Sequence, residues 1–325
     1  MKKKHKQSKS KALLNKAMPY FYKYKNDKTR ESYIKSFKMF LRYCTLNGKI
    51  ESIDELKGNV ELIQDYTDYL RAKGYSASTV HTYIAPVCGF CEVSMKEIEK
   101  DKRVTAEYKR GRTGKRKTNR SDNDITNPKF KRTVEFQRRV GIRRAELIRL
   151  RGSDFCYDER LGFYYVNVRK GKGGKPQKQR ILPKDVEFIE KYFDGVSPDE
   201  KIFSPSEFQN KINYHALRAE HSRECYEYYS NLLNGSNGEE YRKELTALIW
   251  KLMHEKKGFR ATKEAYESFL KEITGTYKIR GKNKELALEH GLPTEYDKLA
   301  VMAVSVFHLS HWRNNVTIQS YLLAY

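Results

Sequence analysis

Six polar side chains, scattered between residues 143 and 321, have the types needed for attack on a phosphodiester without a metal. Arg143 opens the run Gly141-Ile142-Arg143-Arg144-Ala145-Glu146-Leu147. Lys172 sits in Gly171-Lys172-Gly173-Gly174-Lys175, between two stretches that read as strands. His215 and Arg218 form His215-Ala216-Leu217-Arg218, where i, i+3 spacing puts both on one helix face and turns Leu217 toward the core. Leu309-Ser310-His311 ends one predicted helix, and Tyr321 lies on the next. Two guanidiniums at a helix start and on a helix face can clamp non-bridging oxygens and offset charge in the transition state. An ammonium on a hairpin tip can protonate a leaving alkoxide. Imidazoles can hydrogen-bond the phosphate and assist proton movement, and a phenol can attack phosphorus to give a covalent intermediate. A phenol in solution titrates near ~10, and neighbouring cations favour its phenolate. Each piece alone is weak. A Gly-rich turn with lysines is common, and the chain has 24 Tyr. The order of the pieces carries the information.

The elements that must position these groups follow from composition and periodicity. A chain of 325 residues accommodates about two domains at roughly 150 residues each. The formal net charge is +24, from 65 Lys and Arg against 41 Asp and Glu. Such an excess favours a polyanionic partner, nucleic acid before an anionic membrane surface. No run of apolar residues is long enough to span a membrane, and the start, Met1-Lys2-Lys3-Lys4-His5-Lys6, lacks the apolar region of a signal peptide. With five cysteines, the chain reads as soluble and intracellular, in a reducing compartment. Cys88-Gly89-Phe90-Cys91 has zinc-like spacing but no second pair and falls in a helix-like run, so it reads as two small buried residues. No carboxylate cluster stands out to hold Mg²⁺, which argues against a two-metal nuclease, and no cofactor is expected.

Residues 1–17 read as a basic, disordered tail. Residues 18–101 carry a helical pattern, with Tyr33, Ile34, Phe37, Phe40, Leu41 and Cys44 at i, i+3, i+4 spacing, then Leu62, Ile63, Tyr66, Tyr69 and Leu70, then Val80, Tyr83, Ile84 and Val87. Gly48 and Gly74 stop two of these helices, Ser76 or Ser78 can cap the third, and Pro86 should kink it. Residues 102–120 lose almost all apolar character. Lys109, Arg110, Arg112, Lys115, Arg116, Lys117 and Arg120 fit either a solvated charged hinge or an arm lying along phosphates, and a run that is cationic rather than mixed favours the arm. From residue 121 a second domain begins. Helices are expected over 130–139 and 144–151, a strand over 163–168, a turn at 171–174, and a returning strand over 179–182 before Pro183. Helices follow over 184–194, 206–212 and 215–233, then a polar helical stretch over 239–290 and an apolar helix over 296–308. The fold class is mainly α with a small antiparallel β-sheet (α+β).

The sequence of Arg, Lys, His-x-x-Arg, His and Tyr, behind a small helical domain and a basic linker, resembles the tyrosine recombinase (phage integrase) family, itself distantly akin to type IB topoisomerases. The likeness covers nearly the whole chain. It implies a core-DNA-binding domain over 18–101 and a catalytic domain over 121–325. It implies catalytic roles for Arg143, Lys172, His215, Arg218, His311 and Tyr321, with Tyr321 forming a 3′-phosphotyrosyl link. Tyr325, Lys175 and His308 stand as alternatives for the nucleophile, the hairpin lysine and the second histidine. The family implies double-stranded DNA as substrate, a homotetramer on DNA, an accessory DNA-bending or directionality factor, and a place on a phage or other mobile element. Ser310 stands where the family usually has Gly, Ala219 where another His is frequent, and residues 230–298 form an insertion expected to be helical. A catalytically inactive DNA-binding protein and a relaxing topoisomerase are the competing functions.

Overall fold

The computed structural model describes residues 9–102, 125–171, 174–256 and 258–323. The protein is mainly helical with a small antiparallel sheet, and it divides into two compact units, Met1–Val104 and Thr105–Tyr325.

The first unit holds α1 (Lys9–Phe21), α2 (Asp27–Leu46), α3 (Val60–Ala72) and α4 (Ala77–Cys91). Side chains of Asn26, Asn59 and Ser76 accept from the backbone N–H of Thr29, Leu62 and Thr79, which satisfies donors that a helix start leaves open. The apolar stripes meet in one core of Phe21, Phe37, Phe40, Leu41, Ile63, Tyr66, Ile84 and Val87. Phe37 packs against Phe90 with ring centroids 4.7 Å apart. The tail expectation needs correction: residues 9–17 belong to α1. Leu13, Leu14, Ala17 and Phe21 form a stripe that buries against this core, and burial outweighs the basic residues between them. Pro86 is accommodated within α4. Cys88 and Cys91 are buried free thiols, and burial pushes them up to about 11 and about 12. The linker residues Lys109 through Arg120 lie outside the described residues.

The second unit opens with α5 (Lys131–Val140), which ends where Gly141 takes a left-handed φ of 64°. The next helix, α6 (Arg144–Leu147), is shorter than the 144–151 expected. Gly152 and Ser153 donate instead to the carbonyls of Glu200 and Pro198, at 3.0 and 3.1 Å, and this pairing draws the backbone out of helix. The sheet has three strands rather than two: β1 (Phe155–Asp158), β2 (Phe163–Val168) and β3 (Gln177–Arg180), paired in order as an antiparallel meander. Its register sets Cys156 opposite Tyr165, and Tyr165 opposite Arg180. The helix expected over 184–194 shrinks to α7 (Val186–Glu190), and that over 206–212 to a 3-10 turn, Pro205–Phe208.

Then comes α8 (Tyr214–Asn234), the longest element of this unit, packed on α5 through Leu217 and the aromatic core around Phe136. The inserted stretch is not wholly helical. After α9 (Gly238–His254) and α10 (Lys263–Ile273), strand β4 (Thr276–Lys278) leads to α11 (Lys282–Glu289), and β5 (Glu295–Asp297) pairs back on β4. Helix α12 (Lys298–Ala303) continues as a π-helical turn, Val304–Leu309. Helix α13 (Asn314–Thr317) continues likewise as Ile318–Leu322. π-Helical turns are rare and often mark functional sites.

Candidate active site

Four of the six side chains singled out by type and order, Arg143, His215, Arg218 and His311, meet around the phenol of a fifth, Tyr321. Tyr321 is 5% exposed. Its ring centroid lies 5.1 Å from that of His215 and 5.3 Å from that of His311, and the Arg218 guanidinium carbon lies 5.5 Å from it. Arg143 reaches the same cluster from the start of α6, with Nη2 3.1 Å from His311 Nε2. The i, i+3 spacing on α8 does bring His215 and Arg218 to the same side, while Leu217 is fully buried.

Each group is held by identifiable partners. Arg143 donates from its backbone N–H to Glu146 Oε2 at 2.9 Å and from Nη1 to Oε1 at 2.7 Å. A buried carboxylate thus fixes both ends of that residue. Arg218 is 1% exposed; it donates to the carbonyls of Gly141 and, at 3.2 Å, of Leu309. Burial is the main influence pulling its pKa below the ordinary guanidinium value. Tyr321 and Glu146 oppose that pull, while the charge of Arg143 adds to it. The Arg218 Nε is buried and has no partner among the described residues.

His311 is presented by a turn with two left-handed residues, Ser310 at φ 54° and Trp312 at φ 57°. The backbone need at position 310 is therefore one that glycine meets without strain and Ser310 meets with some. The turn closes through His311 N–H to Ser305 O and Arg313 N–H to Ser305 Oγ, both 2.9 Å. Gly141 is required on a second count. A Cβ there would lie 2.3 Å from the His221 ring, so α8 packs against bare backbone.

Lys172 lies outside the described residues. Its neighbours are described: Gly171 and Lys175 close the hairpin with Gly171 N–H to Lys175 O at 2.8 Å. A Cβ on Gly171 would stand 3.5 Å from Glu146 Oε1, so the β2–β3 tip starts beside the carboxylate that holds Arg143. Lys175 is exposed on the same tip. Tyr325 is also outside the described residues. His308 is fully buried away from the Tyr321 ring contacts, in a network of its own.

That network is the group among the described residues with metal-ligand spacing: His221 Nε2, Cys225 Sγ and His308 Nδ1. The two nitrogens are 3.2 Å apart, and each lies 3.3 Å from the sulfur. Its hydrogen bonds close without an ion. The Arg138 carbonyl accepts from His221 Nδ1–H at 3.1 Å, which leaves Nε2 to accept from His308 Nδ1–H. His308 Nε2 then accepts from the Tyr229 hydroxyl at 3.2 Å, and Arg180 donates to that hydroxyl at 2.8 Å. Burial holds both rings neutral, His221 pushed down to about 3 and His308 well below its usual value, with nearby guanidiniums acting the same way. The field of Arg180 and Arg218 opposes a further cation, so the order of donors suits a hydrogen-bonded brace behind the site.

Three contributors escaped the sequence reading as parts of the site. Glu146 had a signal, a Glu at the third helical position where a carboxylate reaches back to the helix start. Gln179 had none: its buried amide donates to the carbonyls of Val140 and His308, at 2.6 and 2.5 Å, tying β3 to α5 and to the π-helical turn. Lys256, just beyond α9, places its ammonium 3.2 Å over the Trp312 ring, so the inserted segment reaches the His311 turn.

No family model matches the chain, and no curated protein matches it. Among solved structures it is similar to one described as "Crystal structure of XerA recombinase", at 16% identity over 86% of this chain and 98% of that one, with a TM-score of 0.23. A TM-score that low leaves the functional reading to the chain's own residues.

Proposed function

We propose that this chain is a site-specific DNA recombinase that cuts and rejoins duplex DNA through a 3′-phosphotyrosyl link on Tyr321. The observation that carries the reading is the convergence of His215, His311 and Arg218 on the Tyr321 ring, with Arg143 bonded to His311. In this reading the Tyr321 hydroxyl attacks phosphorus, a P–O bond forms to the phenol, and the P–O5′ bond breaks. Arg143 and Arg218 hold the non-bridging oxygens; the buried Arg218 Nε–H, without a partner among the described residues, is a donor left for such an anion. His215 and His311 hydrogen-bond the phosphate, and one of the two imidazoles takes up the phenolic proton. Lys172 gives a proton to the departing 5′ oxygen. Attack by a 5′-hydroxyl on the phosphotyrosine reverses each step and restores the phenol, so the bond energy is kept and no net hydrolysis occurs.

The first unit and the linker cations Lys109, Arg110, Arg112, Lys115, Arg116, Lys117 and Arg120 hold the duplex by its phosphates. Strand exchange between two sites takes place in a homotetramer, with an accessory DNA-bending or directionality factor setting the outcome on a phage or other mobile element. The test begins with duplex sites recovered by binding selection from randomised DNA. On nicked versions of these, the wild-type protein forms an adduct that survives denaturant, and Tyr321→Phe binds equally well but forms none. Binding with no adduct from the wild type makes the chain a DNA-binding protein on this scaffold. Relaxation of supercoils without exchange between sites makes it a topoisomerase.

A further inference from the structure

The inserted segment grips the turn that carries His311 at two points. From one side the Lys256 ammonium sits 3.2 Å over the Trp312 indole. From the other, Asn314 Nδ2 donates to the carbonyls of Glu272 at 2.9 Å and Lys298 at 3.2 Å. The end of α9 is itself anchored, since Glu255 forms an ion pair with Arg160 in the β1–β2 turn. The gripped turn has a backbone that side chains other than glycine rarely adopt: Ser310 and Trp312 both sit at positive φ, on either side of His311. Non-glycine residues persist there only when their surroundings over-determine them.

We propose that Lys256 is a positioning residue for strand cleavage: its ammonium, seated on Trp312, fixes the turn that presents His311 to Arg143 and Tyr321. The inference rests on the recombinase reading and gives the insertion a part in it. A cation over an indole face is attracted by the ring's quadrupole, most strongly when partly desolvated, and Lys256 is half-buried. The charged groups that face it are Lys175, from the β2–β3 tip, and Glu272, near the end of α10. Burial is the main cause that pulls its pKa down to about 8; the charge of Lys175 adds to this and Glu272 opposes it. The ammonium, and with it the grip on Trp312, is therefore present below that pH and fades as pH rises through it.

Two variants separate charge from bulk. Lys256→Met keeps the aliphatic stem and loses the charge; Lys256→Arg keeps a cation that does not titrate in this range. The assay is single-turnover formation of the covalent adduct on a nicked duplex carrying a site selected from randomised DNA, with binding and far-UV circular dichroism as controls. Lys256→Met is expected to bind DNA normally and to cleave on the order of tenfold more slowly. Lys256→Arg is expected within about threefold of wild type at pH 7, and the ratio of wild-type to Arg-variant rates falls above about pH 8. A wild-type adduct together with an unimpaired Met variant, an Arg variant as slow as Met, or a ratio flat with pH overturns this inference alone. No adduct from the wild type overturns it together with the recombinase reading.

Discussion

Replacing Arg218 with methionine separates catalytic from structural worth, because the buried guanidinium pulls stability in two directions. Removing it leaves the Gly141 and Leu309 carbonyls without their donor, at about 1–3 kcal/mol each if they stay dry. Against this, a charge that is 1% exposed no longer has to leave water, and that desolvation penalty is several kcal/mol even after relaxation. The neighbouring charge of Arg143 is also relieved of a repulsive partner. The terms nearly cancel, so Arg218→Met should change stability by less than about 2 kcal/mol in either direction. The cleavage rate should fall by roughly 10²–10³, the usual loss for one preorganised donor at developing charge. Urea unfolding reads the first quantity. The chain's two tryptophans, Trp250 and Trp312, both lie in the second unit, so their fluorescence reports on that unit directly. Adduct formation on a selected nicked site reads the second. A variant destabilised by more than about 4 kcal/mol, with cleavage lost only in proportion to the unfolded fraction, would show that Arg218 acts as a structural brace. Unchanged cleavage would refute its catalytic part outright.

Gly141→Ala combines a left-handed φ with a Cβ driven into the His221 ring, and should cost about 2–5 kcal/mol in urea unfolding. The buried histidines give stability a pH dependence of known sign. His221 and His308 stay neutral when folded but take up protons near pH 6.5 when unfolded. Stability should therefore be level above about pH 7 and fall as pH drops through the unfolded histidine range near ~6.5; a urea midpoint that is flat from pH 7 to 5 contradicts the tautomer chain. DNA affinity should fall steeply with salt, with a log–log slope near −4.5 if roughly five phosphates are neutralised. Changing Lys115, Arg116 and Lys117 to alanine should flatten that slope by about 1 for each phosphate no longer neutralised, as read by fluorescence anisotropy.

What the sequence made legible was order, and what it hid was support. The residue types and their succession led to Tyr321 and to four side chains that the structure gathers on it, because His-x-x-Arg on a helix and a turn before His311 are local patterns. The α2, α3 and α4 helices of the first unit were legible for the same reason: their apolar residues recur at helical spacing. The α1 helix was not, since lysines dilute its stripe and the core it completes lies on other helices. Strand β1 was hidden by its brevity, and β4 and β5 by being three residues each. The shortening of α6 depends on carbonyls of residues 198 and 200. Gln179, the His221–His308 brace and Lys256 depend wholly on long-range packing, which no window of sequence displays.

Digesting the covalent adduct and mapping the DNA-linked peptide by mass spectrometry tests the central claim most directly. The expected result is one modified residue, Tyr321, joined to the 3′ phosphate of the cut strand while the other fragment ends in a free 5′-hydroxyl. A link on Tyr325 or any other side chain, or a 5′-phosphate linkage, contradicts the account.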